Sequence, residues 1–429
     1  MLLVYTHKIS PRLSYIFKHI FENMLNLPVQ FTTAVEAFVA HSGPKMSYTT
    51  KPLGDEFFIA AHPLLFERGI NDIQIVQSDW EELPCFFKTV KESSLPFDLF
   101  AASFFLLSRY EEMGPQLKSE KGLFDAKQSI ALKEGFFEQP LIDLWVAKLY
   151  GLMGEVFADL PPLSKKKPQK KLIVDVPLAF QYSHRSLLVV IEQFFKALIN
   201  FDFLALYKQL AVYLRIEQDP YDTFSSWEDL FKEATVTPHV FFRYAKSSIY
   251  ETNLSIFNHS FQSRIKQTGD FYPLGLLLSA QAQLKSDQQM NKEKRDFYQL
   301  TRRQVKCCRV QFAYVPFVQL YKELVAHEFT EDFSMGYSGL FGFRASTATP
   351  FYFYDLTNEV QLPLKVAPVI ADEKALKKEK KATTFDKLEA LYKNLPLPCN
   401  ELIIAVSNGF LNEKRQKASN FNALKNYIK

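Results

Sequence analysis

The hydrophobic pattern divides the chain into two strongly patterned regions separated by a polar segment, Leu160 to Lys171 (LPPLSKKKPQKK), in which prolines and a lysine run interrupt the periodicity. Before it, the short apolar runs LLVYTH, VQFTT, EFFIAA and IQIVQ read as strands. Ser10-Pro11 supplies an N-cap and a first helical residue for a helix to about Met24, and Pro140 opens another through Phe157. A mixed α/β domain is predicted over 1–160, followed by a solvated basic linker over 161–171.

From 172 to 429 strand and helix signals alternate. KLIVDV, TPHVFFRY, DFYPLGLLL, CCRVQFAYV, FYFYDL, QLPLKVAPV and ELIIAVS read as strands. Helical stretches begin near Ser186, continue through Tyr213, recur from Ser255 to Lys266 and again up to Arg303, and return in TTFDKLEALYKNL; Ser225 and Glu228 have capping-box spacing. The lysine-rich segment Glu373 to Lys381 reads as a solvated helix surface. Such alternation favours a parallel sheet or barrel wrapped by helices, whose chemistry sits at the carboxyl ends of the strands. Asp175, at the end of KLIVDV, is placed there.

With 47% apolar and 15% aromatic residues the chain can bury large cores and is not disordered. A net charge of +4, spread over 51 basic and 47 acidic residues, gives no clustered basic face, so no nucleic-acid partner is expected. Cys85, Cys307, Cys308 and Cys399 form no CxxC pair, which argues against a disulfide framework or zinc ribbon. The amino terminus reads as a first strand and not a signal peptide. Phe97 to Leu107 is too short to span a bilayer, and Leu187 to Phe201 is interrupted by Glu192 and Lys196. A cytoplasmic protein without a membrane span is expected. His184, His239, His259 and His327 lack HxH, HxxxH or HExxH spacing and read as structural or surface residues. No GxSxG elbow, P-loop or GxGxxG occurs.

KLIVDVPLAF, DFSMGY (Asp332 to Tyr337) and GFRASTATPFYFYDL (Gly342 to Leu356) resemble the polysaccharide deacetylases, the NodB-homology or carbohydrate esterase 4 family. SSLPFDLFAASFFLLSRYEE (Ser93 to Glu112), VYTHKISPRLSYIFKHIF and PLGDEFFI are similar to the N-terminal domain of unknown function in a Bacteroidetes-type branch. The resemblance implies an irregular, incomplete (β/α) barrel of the polysaccharide deacetylase type preceded by a smaller mixed α/β domain. It also implies a divalent metal such as zinc, held by two histidines and a carboxylate, with a second carboxylate as general base. The chain departs from that pattern at four motifs. Asp175 stands where the family has its general base and Arg309 where an arginine orients it. Pro177 replaces the metal-binding aspartate, Leu277 and Gln311 replace histidines, and Ser407 replaces the histidine of the general acid. In the GFRA segment Ser346 replaces a glycine.

Since Pro and Leu offer no donor atoms and Gln is a weak zinc ligand, no metal cofactor is expected and the catalytic residues Asp175 and Arg309 read as vestigial. Tyr337, Arg344, Tyr352, Tyr354 and Asp355 could line a barrel mouth and bind a glycan, aromatic rings stacking on sugars; the alternative is core packing, with Arg344 and Asp355 paired. Three functions follow from the resemblance. One is a pseudoenzyme that binds a polysaccharide, oligosaccharide or protein partner in envelope polysaccharide synthesis. The others are an active N-acetyl hydrolase with unconventional ligands, and a structural or regulatory partner of an active paralogue.

Overall fold

The computed structural model describes residues 1–114, 123–163, 168–185, 187–232, 234–378, 383–396, 401–413 and 418–429. Residues 164–167 of the expected linker, Cys399 and the end of the lysine-rich segment at 379–381 lie outside them. Four short parallel strands open the chain: β1 (Leu2–Tyr5), β2 (Val29–Thr32), β3 (Lys45–Thr49) and β4 (Phe57–Ala60), in the order β2-β1-β3-β4. The Ser10 hydroxyl accepts the Leu13 N–H at 3.0 Å and starts the helix Pro11–Lys18, which runs on as a π-helical turn over His19–Met24. Every residue of the helix Leu99–Leu107 is buried, as a helix apolar at every position but Ser103 requires. Its N-cap Asp98 accepts from Ala101 N (3.0 Å), His62 N (2.7 Å) and Tyr48 Oη (2.6 Å). A hairpin of β5 (Gln77–Trp80) and β6 (Leu83–Phe86) follows the sheet, so the strand expected in IQIVQ starts only at its last residue.

The second region is a closed barrel. Its strands are β7 (Gln169–Val176), β8 (His239–Phe242), β9 (Leu274–Leu277), β10 (Cys307–Arg309), β11 (Glu331–Met335), β13 (Val360–Asp372) and β14 (Glu401–Ser407), all parallel. Pairing of β11 with β13 closes the ring at seven strands. Register shifts within the β11–β13 and β13–β14 pairings make it irregular. The remaining strand, β12 (Phe351–Asp355), lies antiparallel on β13 outside the ring.

Strand alternation sorts the side chains into two cores. Ile173, Phe241, Leu277, Phe333, Ala367, Val369, Ile403 and Ala405 fill the barrel interior, while their neighbours join the larger core under the helices. Gly275 makes room for this filling, since a Cβ there would stand 2.2 Å from the Phe241 ring.

Two sequence expectations are corrected. The helix Trp227–Lys232 follows a 3-10 turn, Phe224–Ser226, so Ser225 lies inside that turn, two residues ahead of the helix; Thr223 orders the turn, its hydroxyl accepting the Trp227 indole N–H at 3.0 Å. The segment Tyr352, Tyr354 and Asp355 is not at the barrel mouth. β12 pairs with the early part of β13, Asp355 opposite Val360, whereas the mouth is formed by Val369–Asp372. At about 3.3 Å per residue this puts Asp355 roughly 30 Å and Tyr352, opposite Lys365, about 13 Å short of the mouth.

Candidate functional site

At the carboxyl end of the barrel, Asp175 on β7 stands in register with Ser407 on β14 and Phe241 on β8, and Arg309 on β10 with Leu277 on β9. Arg309 donates from Nε to both oxygens of Asp175 at 3.0 Å, and its Nη1 to the Phe333 carbonyl. Both residues are buried. A second guanidinium, Arg243, extends the β8 alternation His239, Phe241, Arg243. Its Nη2 lies 3.3 Å from the side-chain Oε1 of Gln311 and 3.3 Å from Glu251 Oε1. Burial pushes the Asp175 carboxyl above its ordinary value, with Arg309 and Arg243 pulling it back and Asp372 adding to the rise.

The other positions are satisfied without a ligand. Leu277 is fully buried in the apolar barrel interior. The Ser407 hydroxyl accepts the Phe410 N–H at 3.3 Å and caps the turn Asn408–Leu411, and its backbone N–H donates to Glu373 at 3.0 Å. Pro177, half-buried, carries no donor atom. The divalent ion that the resemblance implies does not fit these residues. One carboxylate faces two cations, both its oxygens are taken by Arg309, and the neighbouring positions are leucine, proline, a capping serine and an amide held by Arg243. Among the described residues no group of three His, Cys, Asp or Glu side chains could hold a metal. His239 lies deeper in the barrel, its ring 4.6 Å from that of Phe241 and 5.3 Å from that of Phe333, and burial lowers its pKa to about 4.

Beside this rim a cavity of about 750 Å³ opens between the barrel and the N-terminal region. Gln311, Phe312, Tyr314, Lys322, Ser334 and Tyr337 line it from the barrel, and Glu112 and Phe124 from the other side. Phe312 is 40% exposed. Its far wall is a buried ionic cluster. Glu112 accepts from Arg344 Nε (2.9 Å) and Nη2 (2.6 Å) and from Arg109 Nε (2.8 Å), while Arg344 is stacked between Phe317 and Tyr337 at 4.2 and 4.4 Å. Burial would lift the Glu112 carboxyl, but Arg344 and Arg109 hold it down at about 2.

The expected Arg344–Asp355 pair is therefore corrected: Arg344 pairs with Glu112, and Asp355 with Lys322 Nζ (3.1 Å) and Asn358 Nδ2 (2.7 Å). Of the aromatic candidates only Tyr337 reaches the cavity. Tyr352 is exposed on β12 with its carbonyl accepting Tyr15 Oη at 2.7 Å. Tyr354 is buried between the two regions against Tyr15 and Phe104, its hydroxyl 3.1 Å from Glu359. The sequence reading missed Arg243, Glu251, Glu112 and Arg109. Period-2 counting along TPHVFFRY would have put Arg243 inside the barrel, but no spacing rule links Glu112 to Arg344 across 232 residues.

Residues 2–158 match the model of a family of unknown function (DUF7033). No curated protein matches the chain. A candidate polysaccharide deacetylase from Mycobacterium smegmatis aligns with 62% of this chain and 87% of its own, at 10% identity and a TM-score of 0.35. Puue allantoinase aligns over 63% of this chain and 87% of its own, at 10% identity and a TM-score of 0.38. A mutant of a CE4 family pseudoenzyme with restored enzymatic activity aligns over 62% of each chain, at 9% identity and a TM-score of 0.29.

Proposed function

We propose that this chain is a polysaccharide deacetylase-like protein that no longer hydrolyses and that binds a glycan in the rim cavity. The observation that carries the reading is the closure of Asp175 by Arg309, 3.0 Å from both oxygens, with Leu277 and Ser407 in the flanking registers. A carboxylate so engaged can neither bind a Lewis-acidic ion nor take a proton from water without first breaking a buried ion pair. The cavity next to it offers what a neutral sugar uses: the faces of Phe312, Tyr314 and Tyr337, and the hydrogen-bonding groups of Gln311, Gln319 and Ser334.

The test combines hydrolysis and binding on one preparation. With zinc or cobalt added, the protein is expected to release no acetate from chito-oligosaccharides. The same oligosaccharides should bind by calorimetry, and Phe312→Ala should weaken them by up to about tenfold, the worth of one ring contact. Acetate release with stoichiometric metal would make the chain an active hydrolase. Absence of any oligosaccharide binding, with an active paralogue co-purifying from the native cell, would make it a regulatory partner.

A further inference from the structure

The crossover between β7 and β8 carries a projecting hairpin of two helices, Leu187–Ile199 and Phe203–Tyr213, joined at Asn200–Asp202, where Phe201 has φ +53°. Its two ends are tied together at the barrel rim by one carboxylate. Asp219 accepts the N–H groups of Gln181, Tyr182 and Ser183 at 2.8 Å and that of Tyr221 at 2.9 Å. Gln209 Nε2 donates to the Val190 carbonyl at 3.2 Å and Tyr213 Oη to that of Tyr182 at 2.8 Å, fixing one helix on the other. Leu206, Ala211 and Val212 are the buried apolar residues of the second helix.

The exposed faces are apolar as well. Ile191, Phe194, Phe195, Leu198 and Ile199 follow the i, i+3, i+4, i+7, i+8 spacing of one helical face, and Phe203, Tyr207, Leu210 and Leu214 form a matching stripe on the second helix. All nine are between 37% and 72% exposed. A monomeric protein in water seldom leaves a contiguous apolar surface of this kind uncovered.

We infer that the hairpin seats the protein on an anionic lipid surface; this goes beyond the glycan reading and does not depend on it. Two observations choose a bilayer over a second copy or another protein, and a third places the helices in its interface. The protruding end is itself apolar, Ile199, Phe201, Phe203 and Leu204 being 62–77% exposed, so that the tip as well as a face must be covered. From 185 to 216 the segment has four basic residues (Arg185, Lys196, Lys208, Arg215) against two acidic ones. Glu192 and Lys196 pair with each other, and Asp202 caps the second helix by accepting the Ala205 N–H at 3.0 Å, which leaves Arg185, Lys208 and Arg215 against that one carboxylate. The remaining charge is complementary to anionic headgroups and repels its own kind. Finally, helices of 13 and 11 residues reach only about 20 and 16 Å, against roughly 30 Å for the hydrocarbon core, so they lie in the interface and do not cross it. Among the described residues no helix is long and apolar enough to cross a membrane.

The full chain is expected to co-sediment with vesicles of phosphatidylcholine and phosphatidylglycerol, and less with phosphatidylcholine alone. Replacing the tip residues together (Ile199→Ser, Phe201→Ser, Phe203→Ser, Leu204→Ser) should cut binding at least about tenfold while circular dichroism stays unchanged, because the replaced side chains are exposed. Independently, a Phe201→Trp reporter should shift its emission to the blue when vesicles are added. Failure of the parent chain to bind either vesicle overturns the inference, as does undiminished binding by the tip variant. A lipid-independent dimer that the tip variant dissolves would overturn it in favour of a second copy.

Discussion

Ser346 holds φ +53° at the position where the motif it resembles has glycine, and its buried hydroxyl has no hydrogen-bond partner among the described residues. A non-glycine residue in the left-handed region costs on the order of 1 kcal/mol, so Ser346→Gly should stabilise the protein by about that much in urea unfolding. Gly275 presents the opposite case. A Cβ there would meet the Phe241 ring at 2.2 Å, and Gly275→Ala should destabilise by about 1–3 kcal/mol as the ring is forced out of the barrel interior. The sequence marked Ser346 as a departure from a resembled motif and Asp175 as a strand-end carboxylate. It did not reveal the backbone angle that explains the first or the second guanidinium, Arg243, that faces the second, because both depend on tertiary placement. His239 adds a pH dependence of known sign. Burial keeps its ring neutral down to about 4, while the unfolded chain takes the proton near 6.5. Stability that depends on the neutral ring is complete above pH 6.5 and declines as pH falls toward 4, by at most about 3 kcal/mol. Comparing the parent with His239→Phe across that window should show the slope disappear in the variant.

The most legible elements were those with strong local signals. KLIVDV, TPHVFFRY and ELIIAVS became β7, β8 and β14, and Ser10-Pro11 opened its helix as read. CCRVQFAYV reads as a nine-residue strand but pairs only over Cys307–Arg309, since the chain beyond leaves the barrel to line the cavity. β3 (KMSYT) was overlooked because it is short and mixed in polarity, its strand state coming from β1 and β4 on either side. The apolar stretch after Leu187 reads as a helix interrupted by Glu192 and Lys196, and its exposure could not be read from composition. SRYEE and GFRA stood out as motifs, and the reason is the ionic cluster of Arg109, Glu112 and Arg344 that joins the two regions. Two buried guanidiniums left without their shared carboxylate are costly. Glu112→Gln should therefore destabilise by about 3–5 kcal/mol, read from urea unfolding by the fluorescence of Trp145 on the N-terminal side and Trp227 in the barrel. An effect below about 1 kcal/mol would mean that the cluster is not what joins them.

At the scale of the whole molecule, a closed seven-stranded barrel is fastened to a smaller α/β region by that cluster, by Arg12 Nε on Glu359 at 2.8 Å, and by Asp143 accepting from Thr347 Oγ1 at 2.7 Å and Ala348 N at 3.0 Å. At the rim Asp175 is held by Arg309 in an internal ion pair, so a hydrolytic role and a binding role make opposite predictions about metal. The deciding measurement is the metal content of the full chain, purified without chelators and dialysed against zinc, set beside an Asp175→Ala variant. The account predicts far less than one equivalent of zinc in both. One tightly held equivalent in the parent, lost in Asp175→Ala, would contradict it.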